Sequence, residues 1–263
     1  MTPFVMAVAN RKGGTGKTTT AVNLAVGFAR RGVRTLLVDL DTQGHAGIGL
    51  GVVAARDQPT AHDIYTIGPE ALSRAIRPTH NPYLDIAPAH MQMLHPGQGV
   101  PPGLLAEAIA LSGEKRDYQL VIVDTPPSLD ALMVTALAAA HGVIIPFLPH
   151  PLSAEGVQQF AKVFFSVRLS NNPALKFFAL TPVQANLNVL IHKNIIEQLR
   201  NQYGAGRLTV PIRTDIKVAE AFAFQQSVLD YAPTSRGARD YDLLTEEIGR
   251  SWSILEANTP PLE

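Results

Sequence analysis

The sequence predicts an α/β protein with a mostly parallel, twisted sheet that is covered by helices on both faces. Short apolar runs rich in β-branched residues alternate with helical patterns along the chain, which is the order typical of a parallel sheet. Runs such as residues 142–148 (GVIIPFL) are apolar throughout, which indicates burial on both sides. No internal repeat or low-complexity linker divides the chain. We therefore expect one domain over residues 1–256, followed by a frayed tail at residues 257–263.

The predicted elements begin with a strand, a glycine-rich loop and a helix. Residues 4–10 and 34–41 have the pattern of buried strands, and they flank a helix from Lys17 to about Arg31. Further strands are expected at residues 83–88, 118–124, 142–148, 175–181 and 207–212. Further helices are expected at residues 69–76, 104–112, 129–140, 154–169, 190–203, 218–224 and 238–255. Residues 89–103 are rich in Pro and Gly, which predicts a surface loop.

Polar residues at the ends of these strands are candidates for one shared site. Ligands of such sheets bind at the carboxyl ends of the strands. Asn10, Asp41 and Asp124 end three predicted strands, and residues 149–153 (PHPLS) follow a fourth. We expect these segments to lie together at one edge of the sheet.

The composition excludes several classes of function. The 263 residues include no cysteine, which excludes disulfides, Cys-ligated zinc, iron–sulfur clusters and thiol nucleophiles. Lys plus Arg equals Asp plus Glu at 22 each, so any nucleic-acid surface must be a local patch. No apolar run approaches the roughly 20 residues that span a bilayer, and the first residues do not resemble a signal peptide. We expect a cytoplasmic protein.

Residues 10–20, NRKGGTGKTTT, match the second half of the phosphate-loop pattern G-x-x-x-x-G-K-[ST]. Arg11 stands where the first glycine of that pattern belongs, and a second lysine, Lys12, follows it. The glycines let backbone N–H groups converge on phosphate oxygens, and the following helix directs its positive end to the same place. Lys17 is expected on the β- and γ-phosphates and the Thr18 hydroxyl on Mg²⁺. The candidate nucleotide-binding residues are Lys12, Gly13, Gly14, Thr15, Gly16, Lys17, Thr18 and Thr19.

Three carboxylates extend this site. Asp124 ends the apolar run in VIVDTPP, the expected position of a carboxylate near Mg²⁺. Asp39 and Asp41 in LLVDLDTQG are two residues apart and point to the same face. One of them is a candidate to orient the attacking water and the other to support the loop or the metal, while a capping role for Asp39 stays open. The candidate metal residues are Thr18, Asp124 and Asp39, and the expected cofactors are ATP and Mg²⁺.

The motifs KGGTGKTT, LLVDLDTQG, VIVDTPPS and a late IKVAEA…SRGARDY, taken together, resemble the ParA/MinD group of P-loop ATPases with a deviant Walker A motif. The resemblance covers about residues 4–250. It implies that Lys12 crosses the interface of an ATP-bound homodimer and touches the partner's nucleotide. It also implies that Asp41 positions the hydrolytic water. Lys12, Lys17 and Asp41 are therefore the expected catalytic residues.

Within this group the sequence is most similar to the small ParA-like form without an N-terminal DNA-binding domain. The reductases and scaffold proteins of similar fold need cysteines, and the C-terminal segment is a poor membrane-surface helix with a single arginine. The resemblance implies slow ATP hydrolysis, stimulated by a ParB-like activator or cargo-adaptor protein, and a dimer that binds double-stranded DNA non-specifically. Its expected role is to position a plasmid, a chromosome or a protein assembly over the nucleoid, without a membrane partner. A MinD-like membrane-cycling regulator and a metabolic ATPase such as an amidoligase stay open as alternatives.

Basic residues predict the DNA contacts less specifically. Lys217 stands where ParA relatives carry a phosphate-contacting arginine, although each such cation is also explained as a solvated surface charge. Two positions depart from the family pattern. His150 replaces a glutamate, and Ala185 replaces a basic residue of some relatives. The candidate DNA-binding residues are Lys217, Arg213, Lys193 and Arg236.

Overall fold

A seven-stranded sheet runs through the part of the chain that the computed structural model describes, residues 2–90 and 99–255. The spatial order is β3-β4-β2-β5-β1-β6-β7. All neighbouring pairs are parallel except β3 with β4. The strands are β1 (Phe4–Val8), β2 (Thr35–Asp39), β3 (Arg77–Pro78), β4 (Leu84–Ala87), β5 (Leu120–Asp124), β6 (Gly142–Phe147) and β7 (Phe177–Pro182).

Helices connect most of these strands. In the described residues they are α1 (Lys17–Ala29), α2 (His45–Gly49), α3 (Ala71–Ala75), α4 (Leu104–Arg116), α5 (Ala131–Ala139), α6 (Pro151–Ser170), α7 (Leu190–Tyr203), α8 (Ile216–Ala223), α9 (Val228–Tyr231) and α10 (Arg236–Ser251). Short 3₁₀ helices cover Ala61–Tyr65 and Ala205–Arg207.

Two apolar cores lie on opposite faces of the sheet, as the sequence predicts. Successive side chains of a strand point to opposite faces. Accordingly, Ala7 and Val123 belong to the core with α3 to α7, whereas Met6 and Ile122 belong to the core with α1, α2, α8, α9 and α10. Strands buried on both faces explain the continuous apolar runs of the sequence.

The strand order creates a binding crevice beside the end of β1. The neighbours of β1 are β5 and β6. The helix after β1, α1, packs on one face, and the helix after β5, α5, packs on the other. In open α/β sheets ligands bind at such a reversal, outside the carboxyl ends of the strands. Asp39 and Asp124 are register partners at this edge.

Several predicted boundaries are wrong, and one predicted strand is absent. Residues 207–212 form only a single bridge, Leu208 to Leu180, because a 3₁₀ turn precedes them and Pro211 has no N–H for a ladder. Helix α6 begins at Pro151, since His150 caps it and proline is well suited to the first turn. The two-residue strand β3 was not predicted. Residues 91–98 of the predicted surface loop and the tail at 257–263 lie outside the described residues.

Candidate nucleotide site

The glycine loop between β1 and α1 presents its backbone to an open cavity. Gly14 and Gly16 have left-handed φ angles of 71° and 72°, which non-glycine residues rarely adopt. An added Cβ at Gly13 or Gly14 would meet no atom within 4 Å, so the space beside the loop is free for a ligand. Gly16 is the N-cap of α1 and supplies no side-chain cap. The first N–H groups of this helix are therefore available to an anion.

Side-chain hydrogen bonds hold the loop in place. Asn10 Nδ2 donates to the Pro146 carbonyl of β6 at 2.7 Å, and Asn10 Oδ1 accepts from the Lys12 N–H at 3.1 Å. Thr15 Oγ1 donates to the Lys12 carbonyl at 3.1 Å. The backbone of Lys12 is thus fixed on both sides, and its side chain is exposed at the rim of the loop.

Lys17 lies inside the site, at the first position of α1, and only 6% of it is exposed. Burial lowers the pKa of its ammonium group, while the nearby carboxylates of Asp124 and Asp41 raise it. These two negative charges favour the protonated lysine that a phosphate requires. Lys17 is therefore the inner lysine, buried in the site, and Lys12 is the outer lysine, exposed at the rim of the loop.

Asp124 is a fully buried carboxylate at the end of β5. In the described part of the chain, neither of its oxygens has a hydrogen bond of normal distance and angle. Burial raises its pKa to about 7, although the neighbouring Thr18 hydroxyl favours the charged form. An unsatisfied buried carboxylate beside a hydroxyl fits Mg²⁺, which prefers oxygen ligands and usually takes one or two carboxylates. The prediction of Thr18 and Asp124 as metal residues agrees with this arrangement.

Asp39 needs a correction, because its carboxylate is already used as a cap. Its Oδ2 accepts from the N–H groups of Ala46 at 3.1 Å and Gly47 at 3.4 Å, at the start of α2. Its Oδ1 accepts from the Asp41 N–H at 3.1 Å. Burial and the charge of Asp124 raise the pKa of Asp39 well above its usual range. Asp39 therefore holds the backbone before α2, the capping alternative, and we no longer assign it to the metal.

Asp41 lies at the wall of the cavity, directly after β2. It is 8% exposed, and its Oδ1 accepts from the Gln43 N–H at 3.1 Å. A carboxylate in this position can accept a hydrogen bond from a water molecule near the phosphates.

One cavity of about 1110 Å³ lies beside the glycine loop, Lys17, Thr18 and Asp41, and it is large enough for a nucleotide. One wall consists of residues 13–19, Asp41 and residues 126–128. Sequence reasoning missed most of the opposite wall, which comes from two loops joined by the bridge between Ala185 and Arg213 and from helices α8 and α10. Its residues include Val183, Gln184, Ile212, Ile216, Phe222 and Tyr241. Gln184 in this wall has a φ angle of 50°, which is unusual for a residue other than glycine. This backbone conformation is seen in the structure and has no counterpart in the sequence pattern.

Arg213, a predicted DNA contact, lines this cavity. Its Nη2 lies 2.6 Å from Oδ1 of Asp240, and its Nε and backbone N–H donate to the same carboxylate. The Arg213 side chain is 41% exposed, whereas that of Asp240 is 5% exposed. Because Arg213 neutralises a buried charge, it is a poor candidate for a DNA phosphate.

The other predicted DNA residues lie outside the cavity. Lys217 pairs with Glu220 at 2.6 Å and remains 45% exposed. Lys193 and Arg236 are exposed at the N-terminal ends of α7 and α10. Asp215 accepts from the N–H groups of both Lys217 and Gly237, so Lys217 and Arg236 lie at two linked helix N-termini.

Comparison with known proteins supports a nucleotide-binding role. A family model described as an AAA domain matches residues 4–177. The chromosome-partitioning ATPase Soj of Thermus thermophilus is 37% identical over 245 residues, which cover 92% of this chain and 94% of that protein. The chromosome partitioning protein ParA of Caulobacter vibrioides is 31% identical and covers 93% of each chain. This chain belongs to the ParA/MinD family of P-loop ATPases.

A solved structure has the same architecture as this ParA/MinD member. It is described as cobyrinic acid a,c-diamide synthase from Mycobacterium smegmatis with bound ATP analog and magnesium. The TM-score is 0.78, the sequences are 28% identical, and the match covers 98% of each chain. The single-domain α/β fold predicted from the sequence is confirmed.

The two departures from the ParA/MinD pattern have local structural explanations. His150 is the N-cap of α6, where its Nδ1 accepts from the Leu152 N–H at 3.4 Å. Ala185 is buried and belongs to the bridge with Arg213. A larger basic side chain at position 185 would have to leave this buried position.

Proposed function

We propose that this protein is an Mg²⁺-dependent ATPase that dimerises on ATP, binds DNA without sequence preference and partitions or positions a cellular cargo. The observations that carry the proposal are a cavity lined by the glycine loop and the inner lysine, Lys17, an exposed outer lysine, Lys12, on the same loop, and the unsatisfied carboxylate of Asp124 near Lys17. ATP and Mg²⁺ are its cofactors, in agreement with the ligands of the M. smegmatis structure. The partitioning role follows from the names of the Soj and ParA relatives.

The residues of this chain divide the hydrolysis of ATP among them. The N–H groups of the glycine loop and Lys17 bind the phosphates. Thr18 and Asp124 would hold Mg²⁺, which would supply positive charge to the phosphate oxygens. Asp41 orients the attacking water toward the terminal phosphate. Closure of the partner over the cavity excludes bulk water.

Lys12 makes the active state dimeric. Its backbone is fixed by Asn10 and Thr15, so the side chain starts from a defined point on the exposed rim. In a face-to-face dimer this cation reaches the phosphates of the partner's nucleotide, where it offsets the repulsion between two polyanions. Dimerisation therefore depends on the triphosphate.

The DNA surface centres on Lys217 and Arg236, and the exposed Lys193 of α7 is a further candidate contact. These exposed cations favour phosphate, whereas the N–H groups of Lys217 and Gly237 at the two helix N-termini are already bound to Asp215. The proposed contacts are to DNA phosphates and not to the edges of the bases, so binding is non-specific and sensitive to salt. A ParB-like activator or cargo adaptor releases the dimer by stimulating hydrolysis, and the protein acts in the cytoplasm on the nucleoid.

The test is binding to a random DNA duplex with ATP, with ADP and without nucleotide. We expect binding with ATP alone, loss of binding in Lys12→Ala, and weaker binding in Lys217→Ala. Lys176→Ala is the matched control, since this exposed lysine lies just before the amino end of β7, at the opposite edge of the sheet. Equal binding by wild type and Lys12→Ala in all three states would refute the ATP-gated dimer.

A metabolic ATPase is the second candidate, because the M. smegmatis structure carries the name of a diamide synthase. Sustained ATP turnover that requires a small carboxylic acid, and no protein activator, would support it.

A MinD-like membrane cycle is the third candidate. Across residues 2–90 and 99–255, no helix has the length and apolar character of a membrane span. ATP-dependent pelleting with anionic liposomes, without DNA binding, would favour the MinD-like cycle.

A further inference from the structure

A buried histidine, His62, lies behind the segment that carries Asp41. It belongs to the 3₁₀ helix Ala61–Tyr65 and is 1% exposed. Its Nε2 lies 3.1 Å from the carbonyl oxygen of Leu40, the residue between Asp39 and Asp41. Its Nδ1 lies 2.9 Å from the backbone nitrogen of His90. Neither contact is part of the nucleotide cavity.

These partners fix the tautomer of the ring. A backbone N–H can only donate, so Nδ1 of His62 is the unprotonated acceptor for His90. The ring proton is therefore on Nε2, which donates to the Leu40 carbonyl. Burial lowers the pKa of His62 to about 4, so the ring stays neutral at physiological pH and keeps both bonds.

The peptide unit between Leu40 and Asp41 is held from both sides. His62 binds its carbonyl oxygen, and Asp39 Oδ1 accepts from its N–H at 3.1 Å. The preceding peptide is held as well, because the Leu40 N–H donates to the Asp124 carbonyl at 3.0 Å. The direction in which the Asp41 side chain leaves the backbone depends on the orientation of this peptide unit.

The 3₁₀ helix is itself firmly anchored. Thr60 and Asp63 form a capping box at its start, and the Ala61 N–H donates to the Pro88 carbonyl at 2.8 Å. At its other end, Tyr65 Oη lies 2.7 Å from Thr135 Oγ1 of α5. His62 therefore acts from a rigid support rather than from a free loop.

We propose that His62 is a positioning residue for ATP hydrolysis: its Nε2–H bond to the Leu40 carbonyl sets the orientation of Asp41 toward the attacking water. This inference rests on the proposed ATPase function and on the role of Asp41 in it. A positioning error of about 1 Å at a reacting group can reduce turnover about 100-fold. Binding of ATP, which depends on the glycine loop and Lys17, is unaffected.

Two variants separate the two bonds of the ring. In His62→Gln the amide nitrogen takes the place of Nε2 and can still donate to Leu40. In His62→Asn the amide oxygen takes the place of Nδ1 and can still accept from His90, but the Leu40 contact is lost. We expect kcat within about threefold of wild type for His62→Gln and a loss of about 10- to 100-fold for His62→Asn, with KM for ATP unchanged in both. Lys176→Ala, at an exposed position just before the amino end of β7, is expected to keep the wild-type kcat.

The experiment measures basal ATP hydrolysis of these variants, Asp41→Ala and wild type, with thermal unfolding followed in parallel. If wild type hydrolyses ATP and Asp41→Ala does not, but His62→Asn equals wild type or loses no more than His62→Gln, the inference is overturned while the proposed function stands. If wild type does not hydrolyse ATP, or Asp41→Ala equals wild type, the proposed function itself fails. Should both His62 variants unfold, imidazole ¹⁵N shifts of wild-type His62 decide: protonation at Nε2 supports the inference, and protonation at Nδ1 overturns it.

Discussion

At the scale of single residues, Lys17 and Asp124 show how burial and charge oppose each other. Burial lowers the pKa of Lys17 and raises that of Asp124, while the opposite charge of the partner favours the ionised form of each. Removing the lysine leaves a buried carboxylate without compensation, and removing the carboxylate leaves a buried ammonium group. Both residues are therefore sensitive positions for stability as well as for binding.

We expect Lys17→Ala to weaken ATP binding by about 10- to 100-fold, because a hydrogen bond to a charged group contributes about 1.5–3 kcal/mol. Binding of a fluorescent ATP analogue measures the effect, and circular dichroism shows whether the variant is folded. Lys176→Ala serves as the control. An unchanged affinity in a folded Lys17→Ala protein would contradict the assignment of Lys17 to the phosphates.

The nucleotide-free and metal-free protein should lose stability as the pH rises from about 4 to about 7. The folded-state pKa of Asp124 is about 7, above the ordinary value of about 4 for an unfolded chain, so the folded state binds more protons in this window. Stability then falls with pH, and Asp39 adds to the same slope because its pKa is also raised. Urea unfolding at several pH values measures this dependence.

Asp124→Asn should reduce the slope without abolishing it, whereas Asp57→Asn, at an exposed loop position, should leave it unchanged. A slope in Asp124→Asn equal to that of wild type would show that Asp124 does not take up the proton.

The proximity of Lys17, Thr18 and Asp124 was predictable because it depends on short motifs next to recognisable strands, and their roles stay predictions. The sequence alone does not decide the cap formed by Asp39, since the short α2 helix that it caps has no strong pattern. The ion pair between Arg213 and Asp240 joins residues 27 positions apart, and no local sequence pattern predicts it.

At the scale of elements, the contact between α1 and α10 is close because Gly27 faces Thr245. An added Cβ at Gly27 would overlap Thr245 Oγ1 and lie 3.1 Å from Thr245 Cβ. Thr245 is fully buried and donates to the Tyr241 carbonyl at 2.8 Å, so it has little room to move. The packing of α1 against α10 in this apolar core thus requires a glycine at position 27.

Gly27→Ala should therefore lower the free energy of unfolding by about 1–3 kcal/mol, as overpacking does. Gly113→Ala is the matched control inside α4, where an added Cβ would meet nothing within 4 Å. It should raise stability by about 0.5–1 kcal/mol, since alanine is the better helix former. Denaturant unfolding of both variants tests the pair, and equal effects would refute the packing argument.

Long amphipathic or apolar elements were predicted well, and some short ones were not. Strands β1, β2, β4, β5, β6 and β7 were found because buried apolar runs are distinctive, and the short helix α3 was found as well. Strand β3 and helices α2 and α9, of two to five residues, are fixed by tertiary contacts and carry too little pattern. The run at residues 207–212 has strand-like composition, but the Val210 N–H is taken by Glu247 Oε2 at 2.8 Å rather than by a neighbouring strand.

At the scale of the whole molecule, equal numbers of positive and negative residues mean that the proposed DNA binding depends on a local patch. Each phosphate neutralised on duplex DNA adds about −0.9 to the slope of log K against log salt. Lys217→Ala should reduce the magnitude of this slope by about 1 per protomer, and Lys176→Ala should not change it. A salt titration of duplex binding with ATP measures both. An unchanged slope in Lys217→Ala would exclude Lys217 from the phosphate contacts.

Helix α8 belongs to both proposed sites, since Ile216, Val218 and Phe222 line the cavity while Lys217 lies on the outer patch. Coupling between two binding sites is reciprocal. If bound nucleotide raises the affinity of the protein for DNA by some factor, bound DNA must raise its affinity for the nucleotide by the same factor. A protomer on the nucleoid would then have a lower Kd for ATP than a free one, so the chromosome itself would favour the ATP-bound state.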